Sequence, residues 1–239
     1  MIAEYLLFPL FILAMIVSLS AQIKVQSTFK KYSRVKSGRG YTAEAAARRI
    51  LDANGLYNVR IERVRGNLTD HYDPRANVLR LSDSVYSSNS VAAVGVAAHE
   101  AGHAVQHAVG YLPIRIRSAL VPVTSFASRI SWIVILLGVM ITAFAEAQNA
   151  DFGYNITLFG IGLFSTTALF QLVTLPCEFD ASARAMKELA ASGVYTEEEL
   201  AGSRKVLSAA AMTYVAALFV SVIQILRLIL IFTGGRRRK

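Results

Sequence analysis

The chain has 239 residues, 54% of them hydrophobic, and a formal net charge of +9; its mean hydropathy of +0.44 exceeds that of an ordinary water-soluble domain and points to lipid. The cations gather at the ends of apolar stretches instead of interleaving with aromatic residues, which speaks for a membrane surface and against a nucleic-acid partner. A single cysteine, Cys177, excludes an intramolecular disulfide framework and suits a reducing compartment.

The first apolar stretch, Ile2 to Ala21, reaches the roughly 20 residues that a spanning helix needs. Ser18-Leu19-Ser20 could be a signal-peptide cleavage site, but the leading segment carries Glu4 and no Lys or Arg, whereas a secretory leader begins with basic residues. An uncleaved anchor is expected. Lys24, Lys30, Lys31, Arg34, Lys36 and Arg39 follow it, which holds that end in the cytoplasm and leaves the N-terminus outside. A helical pattern then runs from Thr42 through Leu51 and stops at Asn54-Gly55. Val59 and Ile61 alternate with polar residues, Gly66 to Asp70 is rich in turn formers, and His71 falls in what reads as a polar loop, with a structural role. After Asp73-Pro74, the run Asn77 to Ser82 is strand-like. Two strands are therefore expected before the next helix, in a small α+β unit.

That helix should occupy Val91 to His107, an Ala- and Val-rich segment without proline that follows a Ser88-Asn89-Ser90 cap. It contains His99-Glu100-Ala101-Gly102-His103. Residues four apart share a helical face, so both imidazoles can reach one ion. A catalytic zinc takes three protein ligands and an open position for water, whose pKa it lowers to roughly 7. Glu100 lies just off that face, where it can accept a proton from the water and hand it to a leaving amine. A chance pair of surface histidines is the competing explanation; the helical context favours the zinc motif. His107 lies one more turn along, but a straight helix cannot easily wrap three stacked imidazoles around a tetrahedral centre. It is expected to be an ordinary helix-end residue.

Three more apolar stretches follow, Ile130 to Ala147, Tyr154 to Leu175 and Ala209 to Phe232. Pro176 should end the third stretch and open a new helix, with Glu178-Phe179-Asp180 in its first turn. Acids at a helix start can be there for capping alone. Glu178 is nonetheless the expected third ligand, because a returning membrane helix brings it to the side of His99 and His103, and two His with one Glu make a catalytic zinc set. Asp180 either orients a ligand from behind or caps. Thr196 with Glu199 forms a capping box that opens the last helix. Arg227 inside the final apolar stretch suggests a bend, a snorkelling side chain or an interfacial course. Four spans with the N-terminus outside put the loop at Gln148 to Gly153 outside, and the zinc helix and Glu178 in the cytoplasm. The same topology puts Arg236-Arg237-Arg238-Lys239 outside, against the positive-inside rule. The expected segments are an anchor at 1–22, a cytoplasmic region at 23–128, a transmembrane hairpin at 129–176, cytoplasmic helices at 177–207, and a transmembrane or interfacial helix with a basic tail at 208–239.

An edge strand beside a zinc site can hold an extended peptide by main-chain hydrogen bonds. Val78, Leu79, Arg80 and Leu81 are the candidate, the alternative being a hairpin arm that never meets substrate. Arg184, Tyr214 and His71 all have the chemistry of an oxyanion donor, and ordinary packing explains each equally well.

Taken in order, the anchor, Tyr72-Asp73-Pro74-Arg75-Ala76-Asn77-Val78-Leu79-Arg80-Leu81-Ser82, His99 to His103, and Pro176-Cys177-Glu178-Phe179-Asp180-Ala181-Ser182 resemble the YugP-like neutral zinc metallopeptidases. These are membrane-bound bacterial proteins allied to the HtpX and prenyl-protease group of gluzincins. The resemblance covers nearly the whole chain. It implies one Zn2+ held by His99, His103 and Glu178, Glu100 as catalytic base, and a peptide or protein substrate, membrane proteins among the candidates. In the wider gluzincin pattern an acid often stands four residues after the ligand glutamate; here that position is Ser182, and Asp180 is the nearest substitute. The expected fold is a mainly α membrane protein with about four transmembrane helices and a small α+β zincin-like unit, acting as a membrane endopeptidase. The alternative is a non-catalytic scaffold or adaptor with a structural or vestigial metal. Glu100 argues against it, since a closed structural site has no use for a base.

Overall fold

The computed structural model describes residues 2–144 and 150–234, with side chains at 7–144 and 151–232. Six helices and three strands follow one another as α1 (Ile2–Tyr32), α2 (Ala43–Ala53), β1 (Arg60–Val64), β2 (His71–Asp73), β3 (Val78–Ser82), α3 (Val91–Ala108), α4 (Leu112–Phe144), α5 (Ala150–Ala191) and α6 (Glu197–Gly234). Four of the helices, α1, α4, α5 and α6, are long and apolar enough to cross a membrane. The chain divides into two compact units. One holds the described residues of Met1–Ser20, Ile116–Thr174 and Tyr214–Lys239, the other Ala21–Arg115 and Leu175–Thr213.

The first unit consists of apolar helices that leave large hydrophobic side chains uncovered, among them Phe126 at 67% exposure and Phe159 at 64%. Water would penalise such surfaces; a bilayer does not. Inside the unit Ile135, Ile161 and Leu228 form a small core. Helices α4 and α5 approach closely at glycines: a Cβ on Gly153 would lie 2.6 Å from Thr142 Oγ1, and one on Gly160 2.7 Å from Ile135 Cγ1. Small residues at helix contacts are the ordinary way for membrane helices to pack. The Arg227 guanidinium sits 5.4 and 5.1 Å from the rings of Phe8 and Phe11, so this cation is stabilised by aromatic faces. Helix α6 runs on past it without a break. Gln148, Asn149 and the tail Arg236 to Lys239 lie outside the described residues, as does Ala147 at the end of the second apolar stretch.

In the second unit, capping follows the sequence closely. Thr42 accepts from the Ala45 amide at the start of α2, and Gly55, with φ +74°, turns the chain out of it. Ser90 accepts from the Ala93 amide and opens α3. Thr196 and Glu199 exchange hydrogen bonds at the head of α6, and the other Glu199 oxygen takes the Gly38 amide. One hydrophobic core joins Ile50 and Leu51 of α2, Leu79 and Leu81 of β3, Val94, Ala97, Ala101 and Val105 of α3, Leu189 of α5 and Leu200 of α6.

Three sequence expectations are corrected here. A third strand exists, His71–Asp73, and His71 begins it instead of sitting in a loop. The sheet order is β1-β3-β2, with β3 parallel to β1 over its whole length and antiparallel to β2. Val78, Leu79, Arg80 and Leu81 are thus the centre of the sheet and not an edge. The three apolar side chains are fully buried, while Arg80 pairs with Asp73 at 2.8 Å; the Arg80 hydrogen bond lowers the Asp73 pKa to about 2. Finally, α5 does not restart at Pro176 but passes through it. Proline removes one backbone hydrogen bond and costs an isolated helix about 3 kcal/mol. Beyond it, however, the stripe Cys177, Ala181, Ala185 and Leu189 is buried, which keeps the segment helical. Helix α4 likewise starts at Leu112, well before Ile130, with Pro113 in its first turn.

Candidate metal centre

Helix α3 is enclosed: His103 is buried and His99 partly so. The two imidazoles stack edge to face with centroids 4.7 Å apart, as i and i+4 residues on one face should. Glu178 reaches them from α5. Its Oε2 lies 3.2 Å from His99 Nε2 and 3.7 Å from His103 Nε2, and the carboxylate is 3% exposed. The three side chains bring their ligand atoms within 4.8 Å of one another and could hold a metal ion. A tetrahedral zinc with bonds of about 2.0 Å separates its ligand atoms by roughly 3.3 Å, so the donor set and its spacing fit the ion that the motif implies.

The approach of α5 to α3 depends on Gly102. A Cβ there would stand 2.6 Å from the Ala181 carbonyl oxygen and 3.3 Å from Ala181 Cα, backbone atoms that cannot move aside cheaply. Gly102→Ala should therefore force the helices apart, separating His99 and His103 from Glu178, at a cost of about 1–3 kcal/mol. A lower unfolding midpoint with chelator present, together with weaker zinc retention, is the expected result. Parent values for both would show that the contact is not needed.

The ring nitrogens turned away from Glu178 also have partners. His99 Nδ1 lies 3.1 Å from Ser182 Oγ, and His103 Nδ1 lies 2.9 Å from Gln106 Oε1. Ser182, which departs from the gluzincin pattern, stands behind a histidine all the same. Asp180 does not touch a histidine; it accepts from Gln106 Nε2 at 2.8 Å and from Arg184 Nε at 2.6 Å. Sequence reasoning passed over Gln106, although its place three residues after His103 puts it on the same helical face. Arg184 is committed to Asp180 and lies over the Tyr111 ring, Tyr214 belongs to the other unit, and His71 bonds the Thr69 carbonyl. His107, in the last turn of α3, faces the Tyr72 ring at 5.6 Å.

Glu100 is partly buried beside the ligands, and its Oε2 accepts the Tyr72 amide at 3.2 Å. That amide is taken by Glu100, and β2 is the outer strand of the sheet beside it. Burial raises the Glu100 pKa above the usual carboxylate value, against the pull of the His99 and His103 charges. Burial also works against the charged form of His103, but the Glu178 hydrogen bond and the charges of Glu100 and Glu178 prevail and raise its pKa. The acids beside His103 thus favour a positive charge at that ring.

A family model described as "putative neutral zinc metallopeptidase" matches residues 7–233. A protein of Bacillus subtilis (strain 168), named "Putative membrane protease YugP", is 46% identical over 225 residues, covering 94% of this chain and 96% of that protein. No solved structure matches.

Proposed function

Since this chain belongs to the neutral zinc metallopeptidase family, we propose that it is a membrane-bound endopeptidase in which His99, His103 and Glu178 hold one zinc ion and Glu100 is the general base. The observation that carries this reading is the convergence of the three ligand atoms with a carboxylate beside them that is not one of the three. Zinc in such a site supplies Lewis-acid polarisation and brings the pKa of water down to roughly 7. Glu100 takes a proton from the attacking water as its oxygen bonds to the scissile carbonyl carbon. When the carbon–nitrogen bond breaks, Glu100 returns that proton to the amine. The Tyr72 amide holds the carboxylate oriented for both transfers. Purified protein that contains zinc and cleaves an unfolded protein would support the reading; zinc with no cleavage across a broad substrate panel would favour the scaffold alternative.

The site is proposed to face the cytoplasm, because the Lys and Arg residues between Lys24 and Arg129 outnumber the four at the C-terminus. Cys177 is fully buried and should stay silent to a thiol reagent. Cysteines placed at Ser87 and Ala191, both exposed, should escape an impermeant reagent on intact cells and react after permeabilisation. Labelling of both without permeabilisation would invert the orientation, and labelling of one alone would break the shared site.

A further inference from the structure

We infer that Gln106 is a positioning residue that locks His103 in the tautomer protonated on Nδ1, leaving Nε2 free to face the metal; this rests on the zinc site proposed above. The amide of Gln106 is fully buried and has one way to sit. Its nitrogen lies 2.8 Å from the Cys177 carbonyl oxygen and 2.8 Å from Asp180 Oδ2. A carbonyl cannot donate, and Asp180 Oδ2 already accepts from Arg184 Nε at 2.6 Å, so both positions need the two N–H donors of the amide. Its oxygen is left facing His103 Nδ1 at 2.9 Å, where it can only accept. Turning the amide over would set oxygen against two acceptors in a place with no water to relieve them. The proton on His103 therefore resides on Nδ1. The Ser182 hydroxyl behind His99 can donate or accept and imposes no such choice. Because Cys177 adjoins Glu178, the same amide also ties the helix of the two histidines to the backbone beside the third ligand.

The test uses the whole protein in detergent. With 15N-labelled histidine the spectrum is sparse, as the chain has four histidines. At a pH where the rings are neutral and zinc is removed, the signal assigned to His103 by its loss in His103→Gln should show a protonated Nδ1 and a bare Nε2. A proton on Nε2 would overturn the inference with no variant of Gln106 needed. In chelator competition, Q106E should weaken zinc binding about 10- to 100-fold, because it sets a carboxylate against Asp180 and the Cys177 carbonyl. Parent-like affinity in Q106E would also overturn it. If Q106E does not fold, the parent spectrum decides. A parent that binds no zinc yet shows the Nδ1 proton would defeat the zinc site and leave the amide lock standing.

Discussion

Glu100→Gln should retain zinc at the parent level and lose at least about 100-fold in peptide hydrolysis, the lower end of what a positioned general base contributes. The substitution is close to isosteric, and the side-chain oxygen of glutamine can still accept the Tyr72 amide that Glu100 accepts at 3.2 Å. The ligand cluster of His99, His103 and Glu178 is untouched, so fold and metal content should persist while proton transfer fails. The measurement is turnover on any substrate the parent cuts, paired with zinc stoichiometry of the same preparation. Near-parent turnover would remove Glu100 from the mechanism. Loss of zinc together with activity would mean that Glu100 belongs to the ligand set.

Glu178→Ala should weaken zinc binding by more than about 100-fold, whereas Asp180→Ala should stay within the roughly 10- to 100-fold range of supporting residues. Glu178 Oε2 is within 3.2 and 3.7 Å of the two ligand nitrogens, and its removal leaves two neutral imidazoles to hold a divalent ion. Asp180 acts at two removes, through Gln106 to His103. Its loss would release the Arg184 guanidinium and leave the Gln106 amide on the Cys177 carbonyl and His103, without opening the ligand set. Chelator competition on both variants gives the comparison directly. Equal zinc retention would exclude Glu178 as third ligand.

Much of this site is legible along the chain because its information is local. The i, i+4 histidines need only a helix, and Ser90 caps one; the Thr196–Glu199 box needs four residues. Spans of 20 apolar residues are likewise a property of contiguous sequence. Where reading failed, local and tertiary preferences disagreed. Proline at 176 argues for a break, yet the buried stripe from Cys177 to Leu189 carries the helix through. His71 to Asp73 is too short to show alternation, and only pairing with Leu79 and its neighbours makes it a strand.

The sequence by itself determined the residue types of the centre and, through helical spacing, which of them share a face of α3. Tertiary structure decided how those side chains are held. Gly102 matters because the Ala181 carbonyl passes 2.6 Å from where a Cβ would be, and Gln106 because Cys177 and Asp180 close around its amide. Strand order decided that β2, not β3, is the outer strand beside Glu100. Each of these depends on atoms brought together from distant parts of the chain, and such contacts leave no period or spacing in the sequence from which they could be read.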